Sequence, residues 1–298
     1  MPGLIPKTAF IGIDHVAHLA TGGEAPVLRA NLAAATQFLL DKGDGMPGRE
    51  RFFATADRTR EALARRLGGR PEDVAFLGSA SEGLHVASEA IDWQPGDNVV
   101  VGQSEFPSVL LAWQRLRPRG VEVRAVGREA VVAPDEIAAA VDSRTRAIAV
   151  SHVGYLTGAR HDLGRLRTLA DRSGARLIVD ASHALGVVPV AGMLCDVVVA
   201  CCYKWVLAVH GVGVFYANSR RWPGLAAPWV GTRRIARTTG GAGPTTGSGR
   251  TARASRRGTR RSCRCTSWTA RSASWTSWTR GPSRPTSSRW AARCGTGW

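Results

Sequence analysis

The sequence predicts an α/β fold, in which helices cover both faces of a mostly parallel sheet. Short runs rich in Val, Ile and Ala alternate with amphipathic stretches of helical spacing along residues 1–231. These runs are apolar throughout, as is typical of strands that are covered on both sides. Apolar residues make up 44% of the 298 residues, which is enough for a sizeable core.

The predicted elements alternate in chain order. Six apolar runs are predicted as strands: "DNVVVG" (97–102), "VEVRAVG" (121–127), "RAIAVSHV" (146–153), "RLIVDAS" (176–182), "CDVVVACC" (195–202) and "GVGVFYA" (211–217). Five stretches are predicted as helices: 56–68, 81–91, 107–117, 134–142 and 162–174. Pro134 and Asp135 suit the first turn of a helix, and Gly68 and Gly174 suit the residue after one. This alternation predicts a parallel sheet.

From residue 232 the composition changes. Residues 233–298 contain 15 Arg and no Lys, Asp or Glu, so 15 of the 17 net positive charges lie there and the rest of the chain is nearly neutral. Residues 232–298 have five Trp but no Leu, Val, Phe, Tyr or Met. Such a segment buries too little apolar area to offset its ordering entropy, so we expect a disordered, low-complexity tail after a first domain at 1–231.

Three interpretations of this tail remain open. It is a basic arm that binds nucleic acid, a solvated tail, or the product of a reading-frame slip. The third is favoured, because Trp-Thr occurs at 268–269, 275–276 and 278–279. A Trp codon followed by a Thr codon, when read one base earlier, encodes Asp preceded by Leu, Val or Met. A shifted reading frame would therefore restore helix-like sequence.

Several protein classes are excluded by what the sequence lacks. The sequence has no uncharged apolar run of about 18 residues, so no membrane span is predicted. The first 20 residues lack the features of a secretory signal, so a cytoplasmic protein is expected. The cysteines follow no zinc-ligand spacing and no disulfide framework, so no metal site is predicted. We expect Cys195, Cys201 and Cys202 to behave as small buried residues.

Reactive side chains follow the predicted strands, where ligands bind in parallel α/β sheets. In "GSASEGLH" (78–85), Ser79, Ala80 and Ser81 open a helix whose N-terminus favours a phosphate group. The alternative is that the serine is only a helix cap. The loop is not a Walker motif, because no Lys follows its glycines, and no strand leads into G-x-G-x-x-G.

Asp180 and Lys204 follow two successive strands. Either residue alone has an ordinary explanation, a loop-capping carboxylate or a lysine that extends to solvent. Together they match the needs of a pyridoxal 5'-phosphate (PLP) site, in which Lys forms a Schiff base and Asp holds the pyridine N–H. A lysine removed from water suits this role because burial disfavours an ammonium ion.

Residues 10–232 resemble the class V aminotransferases, PLP-dependent enzymes of fold type I that include cysteine desulfurases and isopenicillin-N-epimerase-like proteins. The resemblance rests on "VDASHALGVVPV", "DVVVACCYKWVLAVHGVGVFY", "FLGSASEGLHVA" and "EFPSVLLAW". It implies a homodimer, an amino-acid substrate and PLP as cofactor. It also implies that Lys204 is the Schiff-base lysine and the proton shuttle at the substrate Cα.

The resemblance assigns further residues to the cofactor. It implies that Asp180 partners the pyridine nitrogen, that His183 contacts the ring hydroxyl, and that Phe106 stacks on the ring. The remaining residues that it places at the cofactor are Ser79, Ala80, Ser81, Tyr155, Cys201 and Tyr203. His15 and His18 match a stretch that lines the substrate side in relatives, and a structural role is favoured for both.

The sequence departs from the family in two respects. Cys201 replaces a Ser that often donates to the phosphate, and a thiol is a poorer donor. After "PWVGT" (228–232) the match ends, without the small domain that carries the Arg for the substrate carboxylate. Cys263, Cys265 and Cys294 lie outside any family context, so none is assigned as a persulfide-forming cysteine.

Two functions follow as hypotheses. The first is a PLP-dependent enzyme acting on an amino acid by transamination, C–S bond cleavage or epimerisation, with an inactive form expected if the small domain is lost. The alternative is a non-catalytic relic domain whose Arg-rich tail binds nucleic acid.

Overall fold

The computed structural model describes residues 5–127 and 131–225. The predicted tail, and the domain boundary predicted between residues 231 and 232, lie outside the described residues. Six α-helices lie in the described part: α1 (Arg29–Gly43), α2 (Met46–Leu67), α3 (Ala80–Glu89), α4 (Pro107–Gln114), α5 (Pro134–Ala140) and α6 (Leu163–Ser173). Its seven strands are β1 (Val74–Leu77), β2 (Asn98–Gly102), β3 (Glu122–Val126), β4 (Thr145–Ser151), β5 (Arg176–Asp180), β6 (Val197–Cys201) and β7 (Gly213–Ala217).

The strands form one sheet in the order β1-β7-β6-β5-β4-β2-β3. Of these strands β7 alone runs opposite to the others, and it lies between β1 and β6. From β4, the chain continues to β5 and β6 on one side, whereas β2 and β3 lie on the other. The strand order therefore reverses between β2 and β4. Open α/β sheets bind ligands beyond the carboxyl ends of their strands, at such a point of reversal.

Two apolar cores, one on each face of the sheet, hold the layers together. Because successive strand residues point to opposite faces, Ile148 and Val150 of β4 join one core while Ala147 and Ala149 join the other. Helices α2, α5 and α6 supply the first core, and α3 and α4 supply the second. The predicted class, a mostly parallel sheet between helices, is confirmed.

The predicted elements agree with the structure in most of their bounds. Pro134 opens α5, and Gly68 and Gly174 end α2 and α6 with φ of 72° and 71°, the left-handed conformation that glycine adopts without strain. The prediction of a helix at 56–68 was wrong at its start, because α2 begins at Met46, where Pro47 suits the first turn. Helix α1 was not predicted.

A buried ion pair connects α6 to the sheet. Asp196, 2% exposed, precedes β6 and accepts hydrogen bonds from Arg167 Nη1 at 2.6 Å and Arg176 Nη1 at 3.0 Å. The Leu177 N–H donates to the same carboxylate at 2.8 Å. These bonds fix the starts of β5 and β6, whose carboxyl ends carry Asp180 and the lysine loop. No helix within the described ranges is long and apolar enough to cross a bilayer.

Candidate active site

Lys204 follows β6 by three residues and is 7% exposed. Its Nζ lies 2.9 Å from His183 Nε2 and 5.2 Å from the centre of the Phe106 ring. Burial, followed by the charge of Lys204, lowers the pKa of His183 to about 4, so the imidazole is neutral and can accept a hydrogen bond from the ammonium. No carboxylate of the described residues forms an ion pair with Lys204.

Asp180 ends β5 and is 5% exposed. Its Oδ1 accepts a hydrogen bond from the Ser182 N–H at 2.8 Å. Burial raises the pKa of Asp180, while the hydrogen bonds of Ser182 and the charge of Lys204 oppose that rise. Within the described part of the chain no cation forms an ion pair with this carboxylate, so it can serve as the partner of a cationic ligand atom.

Both side chains line one cavity, which contains about 480 Å³ of empty space, part of it open to solvent. The cavity brings together all ten residues that the sequence assigned to a cofactor: Ser79, Ala80, Ser81, Phe106, Tyr155, Asp180, His183, Cys201, Tyr203 and Lys204. It lies at the carboxyl ends of β1, β4, β5 and β6, and Phe106 and Ser108 add residues that follow β2. Four further residues line it: Ser108, Ser151, Val153 and Ser182.

The N-terminus of α3 forms one wall of the cavity. Ser79 caps this helix, with its Oγ accepting a hydrogen bond from the Glu82 N–H at 3.1 Å. The first N–H groups of a helix have no intrahelical acceptor, so those of Ala80 and Ser81 are available to an anion. Gly213 packs directly behind them, because a Cβ there would lie 2.6 Å from the Ser79 carbonyl carbon.

The turn that carries Lys204 is held by the N-terminal segment. Leu207 has a φ of 58°, in the left-handed region that non-glycine residues seldom adopt. Its N–H donates to the Lys204 carbonyl at 3.0 Å, and its own carbonyl accepts a hydrogen bond from the Asn31 side chain at 2.7 Å. The Ala25 N–H donates to the Tyr203 carbonyl at 3.2 Å. These bonds on both sides of Lys204 limit its movement.

Aromatic rings form the outer side of the cavity. Phe106 and Tyr155 meet edge to face with ring centres 5.2 Å apart, and Tyr203 stacks on His210 at 3.9 Å. Burial raises the pKa of Tyr203 and of the Cys201 thiol, so both side chains are neutral near pH 7. The Cys201 N–H donates to Ser182 Oγ at 3.0 Å, which connects the ends of β5 and β6.

Some residues were missed by the sequence analysis, and others lie elsewhere. Ser151 ends β4 and Ser182 follows Asp180 by two residues, so the strand-end argument could have found both. His15 and His18 do not line the cavity, and His18 Nε2 lies 3.1 Å from the Glu24 carbonyl, a structural contact. Cys263, Cys265 and Cys294 lie outside the described residues.

The side chains present in the cavity fit PLP. A helix N-terminus suits an anionic phosphate, and a buried primary amine suits an aldehyde. A buried carboxylate that has no ion pair among the described residues suits a cationic ring nitrogen. PLP carries these three groups together. In the described ranges no cluster of His, Cys, Asp or Glu could hold a metal ion.

Comparison with protein families matches residues 46–240 to the family described as Aminotransferase class-V. A probable cysteine desulfurase of Methanothermobacter thermautotrophicus is 30% identical over 214 residues, which cover 69% of this chain and 54% of that protein. The chain spans about half the length of the curated relatives it matches.

Two solved structures share the fold. The apo cysteine desulfurase of Thermococcus onnurineus NA1 superposes with a TM-score of 0.68 at 20% identity, covering 78% of this chain and 62% of that chain. A C-DES mutant with glycine covalently linked to its PLP cofactor superposes with a TM-score of 0.70 at 20% identity, covering 77% and 63%. Class V aminotransferases use PLP, and the predicted fold type and cofactor are confirmed.

Proposed function

The chain belongs to the class V aminotransferase family, and on that basis we propose that it binds PLP through Lys204 and acts on an amino acid. The observation that carries the proposal is that Lys204 and Asp180, both buried and both without an ion pair in the described residues, line the same cavity. Burial of a charged group without an ion pair is costly, so two such side chains in one cavity favour a site that binds a charged ligand.

In this proposal the residues around the cavity bind and orient the cofactor. When bound, PLP supplies an electron sink that stabilises negative charge at the substrate Cα. Asp180 would hold the ring nitrogen in its protonated form, and the N–H groups of Ala80 and Ser81 would bind the phosphate. Phe106 would cover the ring.

Lys204 has a second task in this proposal, which is to move a proton at the substrate Cα. His183 is suited to assist, because its neutral imidazole accepts a hydrogen bond from Nζ and so fixes the position of the amine. The rings of Phe106 and Tyr155 form the outer side of the cavity, where they are 39% and 36% exposed and can contact a bound ligand.

Cysteine is the first substrate to test, since the relatives named above include a probable cysteine desulfurase. The described cysteines, Cys195, Cys201 and Cys202, are all buried. Burial raises the pKa of each thiol, to about 12 in Cys195 and about 11 in Cys202. Protonated thiols are weak nucleophiles, so none of the three suits the task of accepting sulfur. A lyase or aminotransferase reaction is therefore favoured over transfer of sulfur to these residues.

The lysine content of the chain makes the first experiment decisive. The sequence has three lysines, Lys7, Lys42 and Lys204, and the first two are exposed. After incubation with PLP and reduction by borohydride, peptide mass spectrometry is expected to locate the cofactor on Lys204. Lys204→Ala should lose both this adduct and the visible absorbance of bound PLP, while the control Lys42→Ala keeps them. An adduct on Lys7 or Lys42, or none, would contradict the proposal.

We also propose that the chain forms a homodimer. Large apolar side chains of α1 are exposed, Leu32 at 60%, Leu39 at 66% and Leu40 at 62%, which supports burial against another surface. Light scattering at micromolar concentration is expected to give twice the chain mass. The alternative function, nucleic-acid binding by the tail, predicts instead salt-sensitive DNA binding by a colourless protein that loses this binding on deletion of residues 233–298.

A further inference from the structure

Glu105 is a second carboxylate beside the candidate cofactor cavity. It follows β2 by three residues, and its side chain lies over the end of that strand, where a Cβ on Gly102 would be 3.2 Å from Glu105 Cγ. Its Oε1 accepts a hydrogen bond from the Ser151 N–H at 2.6 Å, and its Oε2 accepts one from the Ser151 hydroxyl. The ends of β2 and β4 are thus joined by one carboxylate.

No cation neutralises this carboxylate within the described residues, where no ion pair involves Glu105. Burial raises the pKa of Glu105, the hydrogen bonds from Ser151 and the Phe106 N–H lower it, and the charge of Asp180 raises it again. Hydrogen bonds alone therefore support the ionised form. Such bonds are strong and directional when the acceptor is charged, which suits a group that holds others in position.

The two residues that Glu105 holds both line the cofactor cavity. Ser151 lies in register with Asp180 on the neighbouring strand, so a shift of the first moves the strand that carries the second. Phe106 follows Glu105 directly and begins α4 as its N-cap. One carboxylate thus connects the aromatic residue to the strand beside Asp180.

Glu105 and Ser151 also separate two cavities. Both line a neighbouring cavity with about 930 Å³ of empty space, part of it open to solvent, and Ser151 alone of the pair also lines the cofactor cavity. The hydrogen-bonded pair therefore forms part of the wall between them.

We propose that Glu105 is a positioning residue for the cofactor, which holds Ser151 and Phe106 in place in the wall of the cofactor cavity. This inference rests on the proposed function. It assigns no contact between Glu105 and the reacting atoms. It predicts that the hydrogen-bonding geometry of the Glu105 side chain affects PLP affinity, and that the charge of this side chain affects the protonation of bound PLP.

The test uses the full chain with three variants. Glu105→Ala removes the anchor, Glu105→Gln keeps an acceptor for the Ser151 N–H while removing the charge, and Glu61→Gln is a matched control at an exposed position of α2. The PLP dissociation constant is measured by fluorescence titration. The pH midpoint of the visible band of bound PLP is measured by absorbance, and urea unfolding without PLP is recorded for each variant.

We expect Glu105→Ala to bind PLP about 10-fold to 100-fold more weakly, as is typical when a residue that orients a ligand-binding group is lost. Glu105→Gln should recover most of that affinity, yet shift the pH midpoint, because a negative charge near Asp180 is gone. Glu61→Gln should match the wild type in every measurement. Rescue by Gln separates positioning from a general loss of stability, which the urea data report independently.

Two results would overturn the inference while leaving the proposed function intact. One is wild-type affinity and an unchanged pH midpoint in Glu105→Ala. The other is a Glu105→Gln variant that binds PLP as weakly as Glu105→Ala and shows no shift of the midpoint relative to the wild type. If the wild-type chain forms no PLP adduct on Lys204, the proposed function fails and the inference fails with it.

Discussion

The contact between Gly213 and the N-terminus of α3 gives a sharp prediction about cofactor binding. Gly213 begins β7, where it lies in register with Leu77 of β1 on one side and Cys201 of β6 on the other. In Gly213→Ala the new Cβ would lie 2.6 Å from the carbonyl carbon of Ser79 and 2.9 Å from the nitrogen of Ala80. These are backbone atoms, so no side-chain rotation can relieve the contact.

The size of the effect follows from that distance. Carbon atoms pack at about 3.5–4.0 Å, so the helix end must withdraw by about 1 Å. Overpacking of this kind costs about 1–3 kcal/mol of folding free energy. The same movement would displace the Ala80 and Ser81 N–H groups, which we propose bind the cofactor phosphate. A loss of about 1.4 kcal/mol in that interaction weakens PLP binding about tenfold.

The assay compares Gly213→Ala with Gly224→Ala, a matched control. A Cβ on Gly224 meets no heavy atom within 4 Å, and this glycine has no left-handed φ. Urea unfolding reports the stability of each variant, and fluorescence titration reports the PLP dissociation constant. We expect only Gly213→Ala to lose stability and affinity. Equal results for the two variants would show that α3 is not held by this contact.

Two further predictions concern stability. Asp196→Ala should lower the free energy of unfolding by about 3–5 kcal/mol, because Arg167 would keep a buried charge without its main partner. Asp171→Ala removes the exposed partner of Arg167 and should cost under about 1 kcal/mol. Equal losses of stability in urea unfolding of the two variants would contradict this prediction. Burial lowers the pKa of His152 and of His183 from 6.5 to about 4, so the unfolded chain binds more protons between these values and stability should fall as pH drops from 6.5 to 4. His152→Asn should flatten this dependence, and an unchanged slope in urea midpoints measured across that range would refute the assignment.

Much of the fold was predictable because burial leaves a clear pattern in strands. Apolar runs bounded by turn residues located β2 to β7, and glycines located the ends of α2 and α6. Helix α1 escaped prediction since its apolar residues, among them Leu32, Phe38 and Leu40, are exposed and follow no single buried face. The antiparallel direction of β7 also escaped, because a run of five buried residues contains no information about direction.

The candidate site, like the fold, was predictable from the sequence only in part. The strand-end rule and the spacing of Asp180 and Lys204 predict that these two residues share one site, and both line the same cavity. Glu105 was not found, because a glutamate after a strand is usually exposed and its sequence context does not distinguish the exposed case from this one. Its importance depends on Ser151, which is 46 residues away in the chain.

The residues that line the cavity are spread over positions 79 to 204, so no short fragment of the chain contains it. A ligand that recognises it binds only the completed sheet and therefore opposes unfolding by mass action. At a hundred times its dissociation constant, such a ligand adds about 2.7 kcal/mol of stability. The lifetime of this protein against proteolysis would then follow the supply of its cofactor, and purification without it would yield the most fragile form.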